Sequence, residues 1–90
     1  MRIVSRTTQF KRDVKLVQKR GCKIEILKKV MTALVEGKTL DAKYKDHKLT
    51  GNYKDHRECH LEPDWLLIYR LTSKELIFVR TGSHSDLFKK

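Results

Sequence analysis

Trp65-Leu66-Leu67-Ile68-Tyr69-Arg70-Leu71, a polar gap at Thr72-Ser73-Lys74, then Leu76-Ile77-Phe78-Val79-Arg80: these residues decide the fold. Both apolar runs are strand-length and rich in β-branched and aromatic residues. Glu62-Pro63 breaks the chain before the first run, and Gly82 bends it after the second. The first run is nearly continuous in apolar residues, which suits a strand buried on both faces, and the three-residue gap suits a hairpin. Upstream, Tyr53 to Leu61 is mostly polar, as an edge strand or a strand with one covered face would be.

Further upstream the apolar period changes from strand to helix. Phe10, Val14 and Val17 fall at i, i+4 and i+7 after the potential N-caps Thr7 and Thr8, and Gly21 closes that helix. Ile24, Leu27, Met31, Leu34 and Val35 form a second stripe, which Gly37 stops. The two helices read as an αα-hairpin. Met1-Arg2-Ile3-Val4 reads as a short strand, Thr39 to Asn52 as a polar loop with a Gly51-Asn52 turn, and Ser83 as the N-cap of one C-terminal helical turn. The order β-α-α-β-β-β predicts an α+β domain over residues 1–90. Its antiparallel sheet has about four strands and carries both helices on one face.

Strand alternation then decides what the uncovered face carries. Ile77 and Val79 suit the helix side, which turns Leu76, Phe78 and Arg80 outward. Lys54, His56, Glu58 and His60 share a face.

Composition bounds the function. Twenty-one Lys and Arg against eleven Asp and Glu give a net charge of +10. That balance predicts attraction to polyanions such as RNA, or to an acidic protein. No apolar run reaches the ~20 residues of a membrane span, and no signal-peptide core is present. Cys22 and Cys59 are too few for a disulfide scaffold, so reduced thiols and a cytoplasmic location are expected.

All four histidines, His47, His56, His60 and His84, lie between residues 47 and 84. Imidazole titrates near neutral pH, about 6.5 when unperturbed. Metal-free RNA cleavage needs a base for the 2′-OH, a cation for the charge on phosphorus, and an acid for the leaving 5′-oxygen. His47, His60 and Asp64 are candidates for the base, Arg80 for the cation, and His84 for the acid. Trp65, Tyr53 and Phe88 are candidates to stack on or hold a base. A zinc site at His56, Cys59 and His60, completed by His47 or His84, is disfavoured because alternation turns Cys59 away from both histidines. No metal or cofactor is expected. The competing reading is a non-catalytic basic module that only binds RNA, DNA or a protein.

Three blocks at characteristic spacing carry a resemblance. They are Tyr44-Lys45-Asp46-His47-Lys48-Leu49-Thr50-Gly51, His60-Leu61-Glu62-Pro63-Asp64-Trp65-Leu66-Leu67-Ile68-Tyr69, and Arg80-Thr81-Gly82-Ser83-His84 with Leu87-Phe88. With Phe10-Lys11-Arg12-Asp13-Val14-Lys15 they make the chain resemble, over essentially its whole length, type II toxins of the RelE superfamily, and within it the YafQ-like branch. The resemblance implies an mRNA interferase that cuts the codon in the ribosomal A site, against the 16S rRNA of the decoding site, leaving a 5′-hydroxyl downstream. It also implies an acidic cognate antitoxin of the RelB or DinJ kind. Its catalytic set maps to His47, His60, Asp64 and His84, with Arg80, Trp65 and Phe88 in support. His56 matches no role in it.

Overall fold

The computed structural model describes residues 2–53 and 55–88. Met1 of the expected first strand and Lys54 of the expected shared face lie outside the described residues. Along the chain run β1 (Ile3–Arg6), α1 (Thr8–Lys19), α2 (Ile24–Val35), β2 (His47–Lys48), β3 (His56–Glu62), β4 (Trp65–Leu71), β5 (Glu75–Gly82) and α3 (His84–Leu87). Short 3-10 turns at Ala42–Tyr44 and Gly51–Tyr53 flank β2. The α+β class, the helical hairpin and the C-terminal helical turn are as expected.

The sheet is five-stranded, in the order β1-β5-β4-β3-β2. It differs from expectation in two ways. β2 adds a two-residue strand, pairing His47 with Glu58 and Lys48 with Arg57. β1 runs parallel to β5, from Ile3 opposite Glu75 to Arg6 opposite Phe78. A parallel partner needs a long crossover, and the two helices between β1 and the rest of the sheet provide it.

Thr7 caps α1 by accepting from the Phe10 N–H at 2.9 Å, while its own hydroxyl donates to the Val79 carbonyl at 2.8 Å. One threonine thus starts the helix and ties it to β5. Phe10, Val17, Leu27, Val30 and Leu34 from the helices meet Cys59, Leu61, Trp65, Leu67, Tyr69, Leu76 and Phe78 from the sheet in the main core. Leu66 and Ile68 point the other way, into a smaller cluster closed by Leu87, Leu49, Tyr53 and Val79. β4 is therefore buried on both faces, as its apolar run predicts.

The expected facing of β5 is reversed at three positions. Leu76 and Phe78, each 1% exposed, point to the helices, and the Phe78 ring packs 5.8 Å from that of Phe10. Val79 points to the far side instead, against Leu66 and Ile68. The largest side chain of the strand takes the larger core. A bulge follows: Tyr69 faces Phe78 but Ile68 faces Arg80, so Val79 is the extra residue. It carries Arg80 onto the same face as Ile68, which is the face expected for it.

Candidate functional site

The site grows from three pieces of backbone on the side of the sheet away from the helices. β3 contributes Glu58 and His60, β2 contributes His47, and the β5–α3 junction contributes Arg80 and His84. The three imidazoles form a row, with ring centroids 6.1 Å apart between His47 and His60 and 5.9 Å between His60 and His84.

His84 sits at the start of a one-turn helix that could not stand alone. Ser83 caps it by accepting from the Asp86 N–H, and the Asp86 carboxylate accepts from the Ser83 N–H at 2.9 Å, completing a capping box. Arg20, at the end of α1, donates to both oxygens of Asp86 at 2.6 and 3.2 Å. Arg20 and the Ser83 N–H together lower the Asp86 carboxyl to about 2. Gly82 is required here, because a Cβ would stand 2.8 Å from the Asp86 carboxylate.

Asp64, on the β3–β4 turn, reaches His84 from the other side. One oxygen accepts the His84 main-chain N–H at 2.9 Å and faces Nδ1 at 2.6 Å. The main-chain N–H, then the ring, lowers the Asp64 carboxyl below its ordinary range. Nδ1 therefore carries the proton, and Nε2 is left for chemistry. His47 is held differently: Nδ1 meets the Lys45 carbonyl at 2.7 Å and Nε2 meets the buried Glu58 carboxylate at 3.1 Å. Lys45 reaches that position through a left-handed backbone at φ 49°. His60, between the two, makes no hydrogen bond through its ring nitrogens among the described residues.

Arg80 donates through Nε and Nη2 to Asp13 of α1 at 2.8 and 3.2 Å. Asp13, 4% exposed, also accepts the Thr81 N–H at 3.1 Å. The Asp13 carboxylate, and to a smaller degree the Tyr53 hydroxyl, raise the Arg80 guanidinium above its ordinary range. It remains a fixed cation at any working pH. Tyr53 packs edge-on to Phe88, centroids 5.8 Å apart, and to His56 at 5.7 Å. Phe88 is 36% exposed and offers a ring to a ligand.

Trp65 requires a correction. It is 3% exposed, and its indole N–H donates at 2.9 Å to Thr81, whose hydroxyl in turn donates to the Leu66 carbonyl. No ring face is left for a base, so Trp65 supports the strand that carries Arg80. Cys59 is fully buried and its thiol is pushed up to about 12 by burial, which removes it as a nucleophile. His56 lies four residues along β3 from His60, outside the row. Ligand atoms of His47, Glu58 and His60 lie within 4.8 Å of one another, a donor set able to hold a divalent ion.

The sequence profile of the family described as bacterial toxin of type II toxin-antitoxin system, YafQ, matches residues 2–89. The chain belongs to the YafQ toxin family. It is 52% identical over 81 residues to the mRNA interferase toxin YafQ of Escherichia coli K12, covering 89% of this chain and 88% of that one. The YafQ chain in the crystal structure of the E. coli DinJ–YafQ complex superposes with a TM-score of 0.93 at 48% identity, over 98% and 99% of the two chains. A metal-bound toxin from Helicobacter pylori has a TM-score of 0.88 at 44% identity, over 98% and 100%.

In this chain, Asp13, Arg20, Glu58 and Asp86 are the residues whose roles the sequence did not announce. Asp13 did leave a signal. It stands between Phe10 and Val17 on the buried stripe of α1, where an unpaired carboxylate would not be tolerated. Asp86 left one too, three residues after Ser83, as a capping box requires. Arg20 and Glu58 left none, because their partners are 66 and 11 residues away.

Proposed function

We propose that this chain is the toxin of a toxin–antitoxin pair, an endoribonuclease that cuts mRNA in the ribosomal decoding site without a resident metal. The observation that carries the proposal is the His60–His84 pair. One imidazole has no hydrogen-bond partner among the described residues, and the other is held through Nδ1 by Asp64 with Nε2 outward. Their 5.9 Å centroid separation is close to the span of two catalytic hydrogen bonds, each about 2.6–3.2 Å.

His60 takes the 2′-OH proton, because His47 is engaged at both nitrogens and Asp64 is committed to His84. The 2′-oxygen attacks phosphorus, and Arg80 balances the added negative charge. As the bond to the 5′-oxygen breaks, His84 Nε2 delivers a proton to it and Asp64 steadies the imidazolium. A 2′,3′-cyclic phosphate is left upstream and a 5′-hydroxyl downstream. His47, through Glu58, fixes the near wall of the row, and Tyr53 and Phe88 hold the flanking base. The E. coli relative's name as an mRNA interferase supports the substrate. The net charge of +10 suits both RNA and an acidic antitoxin of the DinJ kind in a cytoplasmic setting.

The H. pylori relative and the His47–Glu58–His60 donor set favour a second state of the same site. A divalent ion held there would withdraw His60 from proton transfer, giving an inhibited form. The test of the primary reading is induction of wild-type and His84→Ala chains in cells. Wild type should arrest growth with cleaved mRNA, and His84→Ala should grow with intact mRNA. Equal arrest by both, without cleavage, rejects the enzyme in favour of a binding module.

A further inference from the structure

A second basic recess lies at the other end of β3 and β4, where His56 and Arg70 come from the face of the histidine row and the register pair Lys48 and Arg57 reaches in from the opposite face at the edge of the sheet. It encloses about 540 Å³ and is lined by Lys48, His56, Arg57 and Arg70, with Asp55 as its one acidic group. His56 and Arg70 are directly opposite in the β3–β4 register, as are His60 and Leu66. Alternation therefore puts Arg70 on the face of His60. Four residues of extended strand set the two sites about 13 Å apart.

Arg70 is the unusual member. Its Nε–H is shielded from solvent and meets no acceptor among the described residues. Arg57 differs, since Asp46 accepts its Nε at 3.2 Å. Among the described residues neither Lys48 nor Arg70 forms an ion pair. Asp55 lines the recess without closing on either cation. A buried guanidinium donor without an acceptor is costly to keep, and natural chains nearly always satisfy such groups. The two terminal nitrogens of a guanidinium form a fork that fits two phosphate oxygens without using the shielded Nε.

We propose that this recess is a phosphate-binding subsite for the RNA backbone beyond the scissile position, with the terminal nitrogens of Arg70 gripping the phosphate and Lys48 adding charge from the edge strand. The inference rests on the RNA-cutting reading of the histidine row. It gives the enzyme a second point of attachment, one that sets where the strand lies rather than how the bond breaks. Arg70 and Lys48 act on binding and take no proton.

The test uses the full chain in a His84→Ala background, so that bound RNA stays intact. Binding of a short labelled oligoribonucleotide and of mRNA-free ribosomes is measured over a salt series, with and without Arg70→Gln or Lys48→Gln. Arg70→Gln is expected to weaken binding roughly three- to tenfold and to flatten the log–log salt slope by about 0.7, one phosphate contact on a single strand. Lys48→Gln should do the same more weakly. Loss on the oligonucleotide assigns the phosphate to mRNA, and loss only on ribosomes assigns it to ribosomal RNA. The melting temperature of Arg70→Gln should equal or exceed that of the parent, because an unpaired buried donor is removed. Unchanged affinity and slope in both arms, with either a lower melting temperature or weaker binding only to the antitoxin, overturns the subsite. If the parent binds neither RNA nor ribosomes, the RNA-cutting reading itself has failed, and the subsite with it.

Discussion

Replacing Asp86 by Asn tests whether the one-turn helix bearing His84 is held from outside. The substitution keeps size and removes charge from a carboxylate that accepts from Arg20 twice and from the Ser83 N–H once. A carboxyl held at about 2, against an ordinary value of 3.8, contributes at most about 2.5 kcal/mol at neutral pH. Solvent around Arg20, 47% exposed, screens part of that interaction, so we expect a loss of about 1–1.5 kcal/mol. For a domain of this size, that lowers Tm by roughly 5–10 °C. The sign follows from the lowered pKa. The contribution is fully present above about pH 4 and disappears as pH falls through 2, so the two melting curves should converge on acidification. Cleavage should fall about tenfold through kcat, with KM nearly unchanged, because His84 is displaced while RNA-contacting groups remain. Thermal melts between pH 7 and pH 2, with single-turnover cleavage, measure both effects. A variant with wild-type Tm at pH 7 and undiminished cleavage would refute the idea that Arg20 and Asp86 hold His84 in place.

Other outcomes follow from the same contacts. Asp13→Ala leaves Arg80 and a buried N–H without an acceptor, and should cost about 3 kcal/mol by chemical denaturation. Trp65→Phe should lower stability by roughly 1–2 kcal/mol, by removing the donor to the buried Thr81 oxygen and shrinking a core side chain, without changing KM. Phe88→Ala should instead raise KM about tenfold with little change in Tm, since a stacked base is worth roughly 1–3 kcal/mol. Cleavage should persist in EDTA, and added copper or zinc should suppress it until chelator is restored. Loss of activity in EDTA alone would overturn metal independence.

The fold was legible wherever apolar periodicity is local. Phe10 to Val17 and Ile24 to Val35 read as helices, and Trp65 to Leu71 as a strand buried twice. The facing of β5 was not legible, because alternation alone cannot say whether Phe78 or Val79 takes the larger core, nor that a bulge at Val79 would still bring Arg80 to the site. The parallel pairing of β1 depends on residues more than 70 positions away and has no local signature. At the site, the resemblance and the residue chemistry together pointed to His47, His60, Asp64, His84 and Arg80, which the structure brings to one region of the molecule. What those groups do to one another was hidden. The sequence left His47, His60 and Asp64 as equal candidates for the base, and gave no sign that an Asp64 oxygen lies on His84 Nδ1 or that the Lys45 carbonyl and Glu58 meet the two nitrogens of His47. Trp65 was misplaced because an aromatic beside a catalytic block reads as a stacking platform, whereas its neighbours bury it.

The most direct measurement is the chemistry of the cut ends on ribosomes programmed with a defined mRNA, comparing wild type with His60→Ala and His84→Ala. The account predicts a 2′,3′-cyclic phosphate upstream and a 5′-hydroxyl downstream, with cleavage slower by roughly 10²–10⁴-fold in each variant. Ends bearing a 5′-phosphate, or full cleavage by His84→Ala, would contradict it.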